Sequence, residues 1–195
     1  MKSPDVCAQP WPRLPGVATL LRGGLRAVRA AFFAGTVVAF TLAGVLDVRA
    51  QLREGDPMPV LSEFGLEGDL ASAPTAGRVV LLDFWASWCA PCKASFPSLS
   101  ALQREWGAQG LTVIGVSVDE KKTAYDAFVS RLKPSFVTLR DAEKRLVRVV
   151  RVPTMPTSYL IDRKGVVRLV HEGFRGETTE RALRTKVRQL LDEAP

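Results

Sequence analysis

A chain of 195 residues has room for one domain with a buried core and something besides. Its hydrophobic share of 47% and charged share of 24% are ordinary for a globular protein, and three cysteines are too few to staple a fold together. The formal charge of +7 is uneven: residues 1–50 carry six Lys/Arg against two Asp/Glu, and residues 51–195 carry 21 against 18. Much of the basicity therefore sits in the first fifty residues and argues for no nucleic-acid partner.

Those fifty residues read as a leader. A Pro- and Arg-bearing approach through Arg29 is followed by a run from Ala30 to Leu46 without a charge, then by Asp47-Val48-Arg49-Ala50. A basic flank, an apolar run and Val48 and Ala50 at −3 and −1 describe a secretory signal cut after Ala50. The run is a little long for a signal and short for a comfortable span, so an uncleaved membrane anchor stands beside it. Both readings keep the basic flank cytoplasmic and deliver residue 51 onward to the extracytoplasmic side, the periplasm or the outer face of an inner membrane. The expected division is a leader at 1–50, a Pro-containing linker at 51–59, and one domain at 60–195 with a short N-terminal extension.

Within the domain, Val60–Ala76 holds short apolar pieces broken by Gly65, Gly68 and Pro74, which suggests a weak hairpin. Val79–Phe84 is an apolar strand. Leu99, Leu102 and Trp106 recur at helical spacing until Gly107 and Gly110, with Pro97 expected to kink that helix. Leu111–Val118 is nearly all apolar, as in a sheet covered on both faces. A helix over Thr123–Leu132, a strand over Ser135–Leu139 and a short helix over Ala142–Val150 follow. Thr157–Asp162 and Val166–Glu172 form a hairpin about Arg163-Lys164-Gly165. A last helix, Thr179–Leu191, buries Leu183, Val187, Leu190 and Leu191, with Glu177–Arg181 and Glu180–Arg184 paired four apart. Arg145, Arg148 and Arg151 recur at helical spacing with no aromatic between them, a solvated face rather than a nucleic-acid site. His171, a lone histidine in a strand, reads as structural.

The chemistry gathers where the first strand ends, in Asp83-Phe84-Trp85-Ala86-Ser87-Trp88-Cys89-Ala90-Pro91-Cys92. A strand that stops abruptly delivers Cys89 to a helix N-terminus, where unpaired N–H groups favour thiolate over thiol. Cys92, one turn on, is close enough to close a disulfide with it. Two plainer explanations compete. A zinc site wants about four Cys or His ligands, and only Cys7, in the leader, and His171 remain. A structural bridge between residues three apart closes too short a loop to remove much unfolded-chain entropy. A reversible dithiol/disulfide pair is the better reading, with no metal and no cofactor.

This segment resembles the active-site stretch of the thioredoxin superfamily, and the likeness runs from about Gly55 to the C-terminus. The resemblance implies an α/β fold, a thioredoxin-like three-layer sandwich with a mixed central sheet and helices on both faces. It also implies a cis-proline opposite the cysteines. Met155-Pro156-Thr157 ahead of a strand is similar to that feature, with Pro153 the competing candidate and an ordinary trans proline the plainer one. The implied substrate-binding set is Trp88, Pro91, Met155, Pro156 and Thr157, with the Met155 backbone free to pair with an incoming peptide.

An export signal, a piece ahead of the core and an inserted helix after Val118 resemble the TlpA/ResA-like branch of extracytoplasmic thiol–disulfide oxidoreductases. That likeness implies protein thiol or disulfide substrates, an inner-membrane electron donor, and work in cytochrome c biogenesis or oxidase copper-site assembly. Two positions depart from the branch: Ser95 stands where many members have Glu, and Asp83 where many have Asn. A buried Asp83 with raised pKa would take the proton from Cys92 during resolution, unless it is only a hydrogen-bonded strand residue. The absence of His between the cysteines points to the reducing end of the family's range, toward about −270 mV rather than about −120 mV. A copper-site assembly factor with the cysteines as ligands, and a passive binding module on the same scaffold, are the competing functions.

Overall fold

The computed structural model describes residues 51–193. The expected leader at 1–50, cleaved or kept as an anchor, lies outside those residues. Five strands form one sheet in the order β3-β2-β1-β4-β5. They are β1 (Val79–Trp85), β2 (Leu111–Ser117), β3 (Val137–Arg140), β4 (Thr157–Ile161) and β5 (Val167–Glu172). β1, β2 and β3 run parallel, whereas β4 is antiparallel to β1 and to β5. The helices are α1 (Ala90–Trp106), α2 (Lys122–Leu132), α3 (Arg145–Val150) and α4 (Glu177–Asp192). The expected mixed α/β sandwich is the fold found.

Every residue of β1 and β2 is buried, which is why both read as apolar runs without alternation. The pleat still divides them. Val79, Leu81 and Trp85 face a cluster built with Phe96, Leu99 and Leu102 of α1, Phe128 of α2 and Leu183 and Val187 of α4. Val80, Leu82 and Phe84 face the other side, against Leu146 and Val150 of α3 and Leu61 of the N-terminal segment. Gly115 of β2 lies opposite Asp83 of β1, and a Cβ there would come within 3.0 Å of Trp85 Nε1 and of Phe136. A side chain there would press on Trp85 and Phe136.

The fold differs from expectation in detail. Val60–Ala76 holds two short 3-10 turns, Leu61–Phe64 and Leu70–Ser72, in place of a hairpin. The segment pairs with the sheet only through Glu67, whose backbone exchanges two hydrogen bonds with Arg140 at the β3 edge. A segment with so few apolar residues cannot stabilise a hairpin of its own, and it caps an existing edge instead. Leu191 is only partly buried, while the Glu177–Arg181 and Glu180–Arg184 pairs both form. Among the described residues no helix is long and apolar enough to cross a membrane.

Candidate active site

β1 ends at Trp85, and the chain turns through Ala86–Trp88 into α1. Cys89 is the N-cap of that helix; its Sγ accepts the Cys92 backbone N–H at 3.2 Å, and Pro91 stands in the first turn. Cys89 and Cys92 are joined by a disulfide with Cα atoms 5.3 Å apart. Cys89 is 6% exposed and Cys92 0%, so Cys89 is the more accessible of the two residues. Ser95, one turn further, is buried and its hydroxyl donates to the Cys92 carbonyl at 2.9 Å. The wall that holds Glu in many TlpA/ResA-like proteins thus carries no charge here.

The surface around the cysteines is aromatic and apolar. Trp88 is 73% exposed, Pro91 is exposed, and Met155 packs partly buried against the cluster that contains both cysteines. The Met155–Pro156 peptide is cis. Phe84 pairs with Thr157, which sets the start of β4 beside the end of β1. Met155 itself lies outside both ladders of β4. Pro156 and Thr157 are buried, and the Thr157 hydroxyl donates to the Thr154 carbonyl at 2.8 Å. Their side chains therefore shape the loop before β4, while Trp88 and Pro91 are exposed and Met155 is half-buried. Trp85 is wholly buried, stacked on Phe128 with centroids 4.6 Å apart, and belongs to the core.

Asp83 is 1% exposed and on the α1 side of β1, the face that also receives Cys92. Its Oδ1 accepts the Ser158 hydroxyl at 2.6 Å, and its Oδ2 has no hydrogen-bond partner. Burial raises its pKa from 3.8 to about 7, against the lowering effect of the Ser158 bond. Such a carboxyl changes charge in the physiological range.

Sequence reasoning missed the group that holds the loop. Asp119, just past β2, is buried and accepts the Ser87 N–H at 3.0 Å, the Ser87 hydroxyl at 2.8 Å and the Ser117 hydroxyl at 2.7 Å. Behind it, the buried Arg140 donates to the carbonyls of Asp119 and Glu120 at 3.2 and 2.9 Å and pairs with Glu67 at 2.7 Å. An acidic residue directly after an apolar strand was the available signal; its partner 32 positions away was not.

A thioredoxin-like sheet with a Cys-x-x-Cys disulfide at a helix N-terminus defines a class, the thiol–disulfide oxidoreductases. Residues 55–170 match the AhpC/TSA family, and the chain belongs to it, among its TlpA/ResA-like thioredoxin-superfamily members. The chain is 35% identical over 126 residues to the thioredoxin-like protein YneN of Bacillus subtilis, covering 63% of this chain and 73% of that one. It is 30% identical over 148 residues to the thiol-disulfide oxidoreductase ResA of Bacillus cereus, covering 75% and 84%. A crystal structure of a candidate thiol:disulfide interchange protein DsbE from Chlorobium tepidum superposes with a TM-score of 0.66 at 37% identity, over 72% of this chain and 99% of that one.

Proposed function

We propose that this thiol–disulfide oxidoreductase reduces disulfides of exported proteins through Cys89 and Cys92. The observation that carries the reading is the asymmetry of the pair: Cys89 caps α1 beside the exposed Trp88, and Cys92 is sealed beneath it. In the reduced protein, the Cys92 N–H and the positive end of α1 stabilise a Cys89 thiolate. That thiolate attacks a substrate disulfide, forming a mixed disulfide and releasing one substrate thiolate. Cys92 then gives its proton to Asp83 and attacks Cys89 Sγ, closing Cys89–Cys92 and releasing the second thiolate. Two electrons pass to the substrate, and a membrane-held dithiol donor restores the pair. Trp88, Pro91 and the backbone of Met155 would receive the substrate chain as an added extended segment.

The reducing direction rests on Ala90-Pro91 between the cysteines, with no imidazolium to favour the thiolate further. The likeness to a thiol-disulfide oxidoreductase ResA and to a thiol:disulfide interchange protein DsbE supports work on protein thiols and disulfides; that these belong to exported proteins, such as those awaiting haem or copper, is what the TlpA/ResA-like resemblance implies. The test is Cys92→Ser, which should accumulate mixed disulfides through Cys89 in cell extracts under non-reducing electrophoresis, while Cys89→Ser accumulates none. Copper bound by the reduced wild type, lost in both variants without any adduct, would favour the assembly-factor function instead.

A further inference from the structure

The proposed proton transfer to Asp83 leaves open how one buried carboxylate is held and why one of its oxygens stays free. Ser158 lies directly opposite Asp83 in the β1–β4 ladder, and its hydroxyl is the one hydrogen-bond partner of that carboxyl among the described residues. Ser158 is itself buried. Across β2, the opposing residue is Gly115, which offers no side chain. No charged group perturbs Asp83 electrostatically: burial and the Ser158 bond are the two causes of its shift. The elements packed on this side of the sheet do carry titratable groups, among them Cys89, Cys92 and the exposed Lys93 on α1, Tyr125 on α2, His171 on β5 and Glu180 on α4. Tyr125 is committed to Thr138, His171 to Thr179, and Glu180 to Ser98 and Arg184.

We propose that Ser158 is a positioning residue for this reaction: it engages Oδ1, leaves Oδ2 as the atom that receives the Cys92 proton, and eases ionisation of a carboxyl that no cation assists. This rests on Asp83 acting as the base for Cys92. A hydroxyl that donates to a carboxylate stabilises the charged form, so its loss makes Asp83 harder to ionise. The base is then unavailable at neutral pH, and the acid limb of the resolving step moves upward.

The experiment uses the full-length chain and two readouts. The first is the Asp83 13Cγ titration in the oxidised protein, with the resonance assigned by Asp83→Asn. Ser158→Ala should raise its midpoint by about one pH unit, and Ser158→Thr should leave it in place. The second is release of the second glutathione after mixing reduced protein with oxidised glutathione. Its acid limb should move with the midpoint, slowing Ser158→Ala about fivefold at pH 7. An unmoved midpoint in Ser158→Ala overturns the proposal. If Asp83→Asn keeps the wild-type acid limb, the base assignment falls, and Ser158's part in the reaction with it; the titration shows which of the two failed. Should the alanine variant not fold, Ser158→Thr against Ser158→Val makes the same comparison at matched shape.

Discussion

Asp83 carries its charge at the expense of stability. The unfolded chain ionises it near 3.8, whereas the folded chain holds the proton to about 7. Between those values the folded state binds more protons than the unfolded one, so stability falls as pH rises through that window. Above it the penalty is complete. Asp83→Asn keeps an oxygen for Ser158 and removes the ionisation. It should therefore unfold at higher urea than wild type at about pH 7.5, by a few kcal/mol and about 4 at the upper bound, with little gain at about pH 4. Equal stability of the two proteins at both pH values would show that the carboxyl is not buried as described. A residue kept at such a cost in the most central strand is more readily explained by chemistry than by folding.

The loop from Trp85 to Cys89 is short and carries the exposed Trp88, yet it is anchored at Ser87 by two donors to one buried carboxylate. Asp119→Ala leaves those two donors and the Ser117 hydroxyl without their acceptor, which should lower stability by about 2–4 kcal/mol. Hydrogen exchange at the Ser87 amide should quicken by more than the global loss explains, because its own bond is gone. Exchange that follows global unfolding alone would mean that Asp119 does not hold the loop. Helix α1 is fastened from its far side as well. Ser98 bonds Glu180 at 2.9 Å, and Arg184 of α4 reaches Glu105 at 2.5 Å and lies over the Trp106 ring. The cysteines thus stand on a helix braced at its start by the end of β2 and along its length by α4.

Taken whole, the molecule places β1 at the centre of its sheet, with apolar clusters on both faces, and uses the strand's end as a rigid platform. Most of the stability then lies in the two cores rather than in the disulfide. The bridge spans a sequence separation of 3. Loop-closure entropy for so short a ring amounts to about 2 kcal/mol, so reduction should lower the unfolding free energy by about that much and leave the fold cooperative. Urea titrations with and without dithiothreitol measure it; loss of the fold on reduction would make the bridge a staple rather than a working pair.

Much of this was legible from residue order, because the information was local. Apolar runs mark β1 and β2, helical spacing marks α1 and α4, and Trp88-Cys89-Ala90-Pro91-Cys92 places both sulfurs within one turn of a helix start. The partners of those groups were not legible. Strand alternation tells which face Ser158 takes, but not that it stands opposite Asp83, 75 positions away. Ser87 with Asp119, and Arg140 with Glu67, likewise meet only when β1, β2 and β3 are laid in register. A side chain's kind follows from the chain's order, whereas its neighbours across a sheet depend on how separate strands align, and that alignment belongs to the packed core.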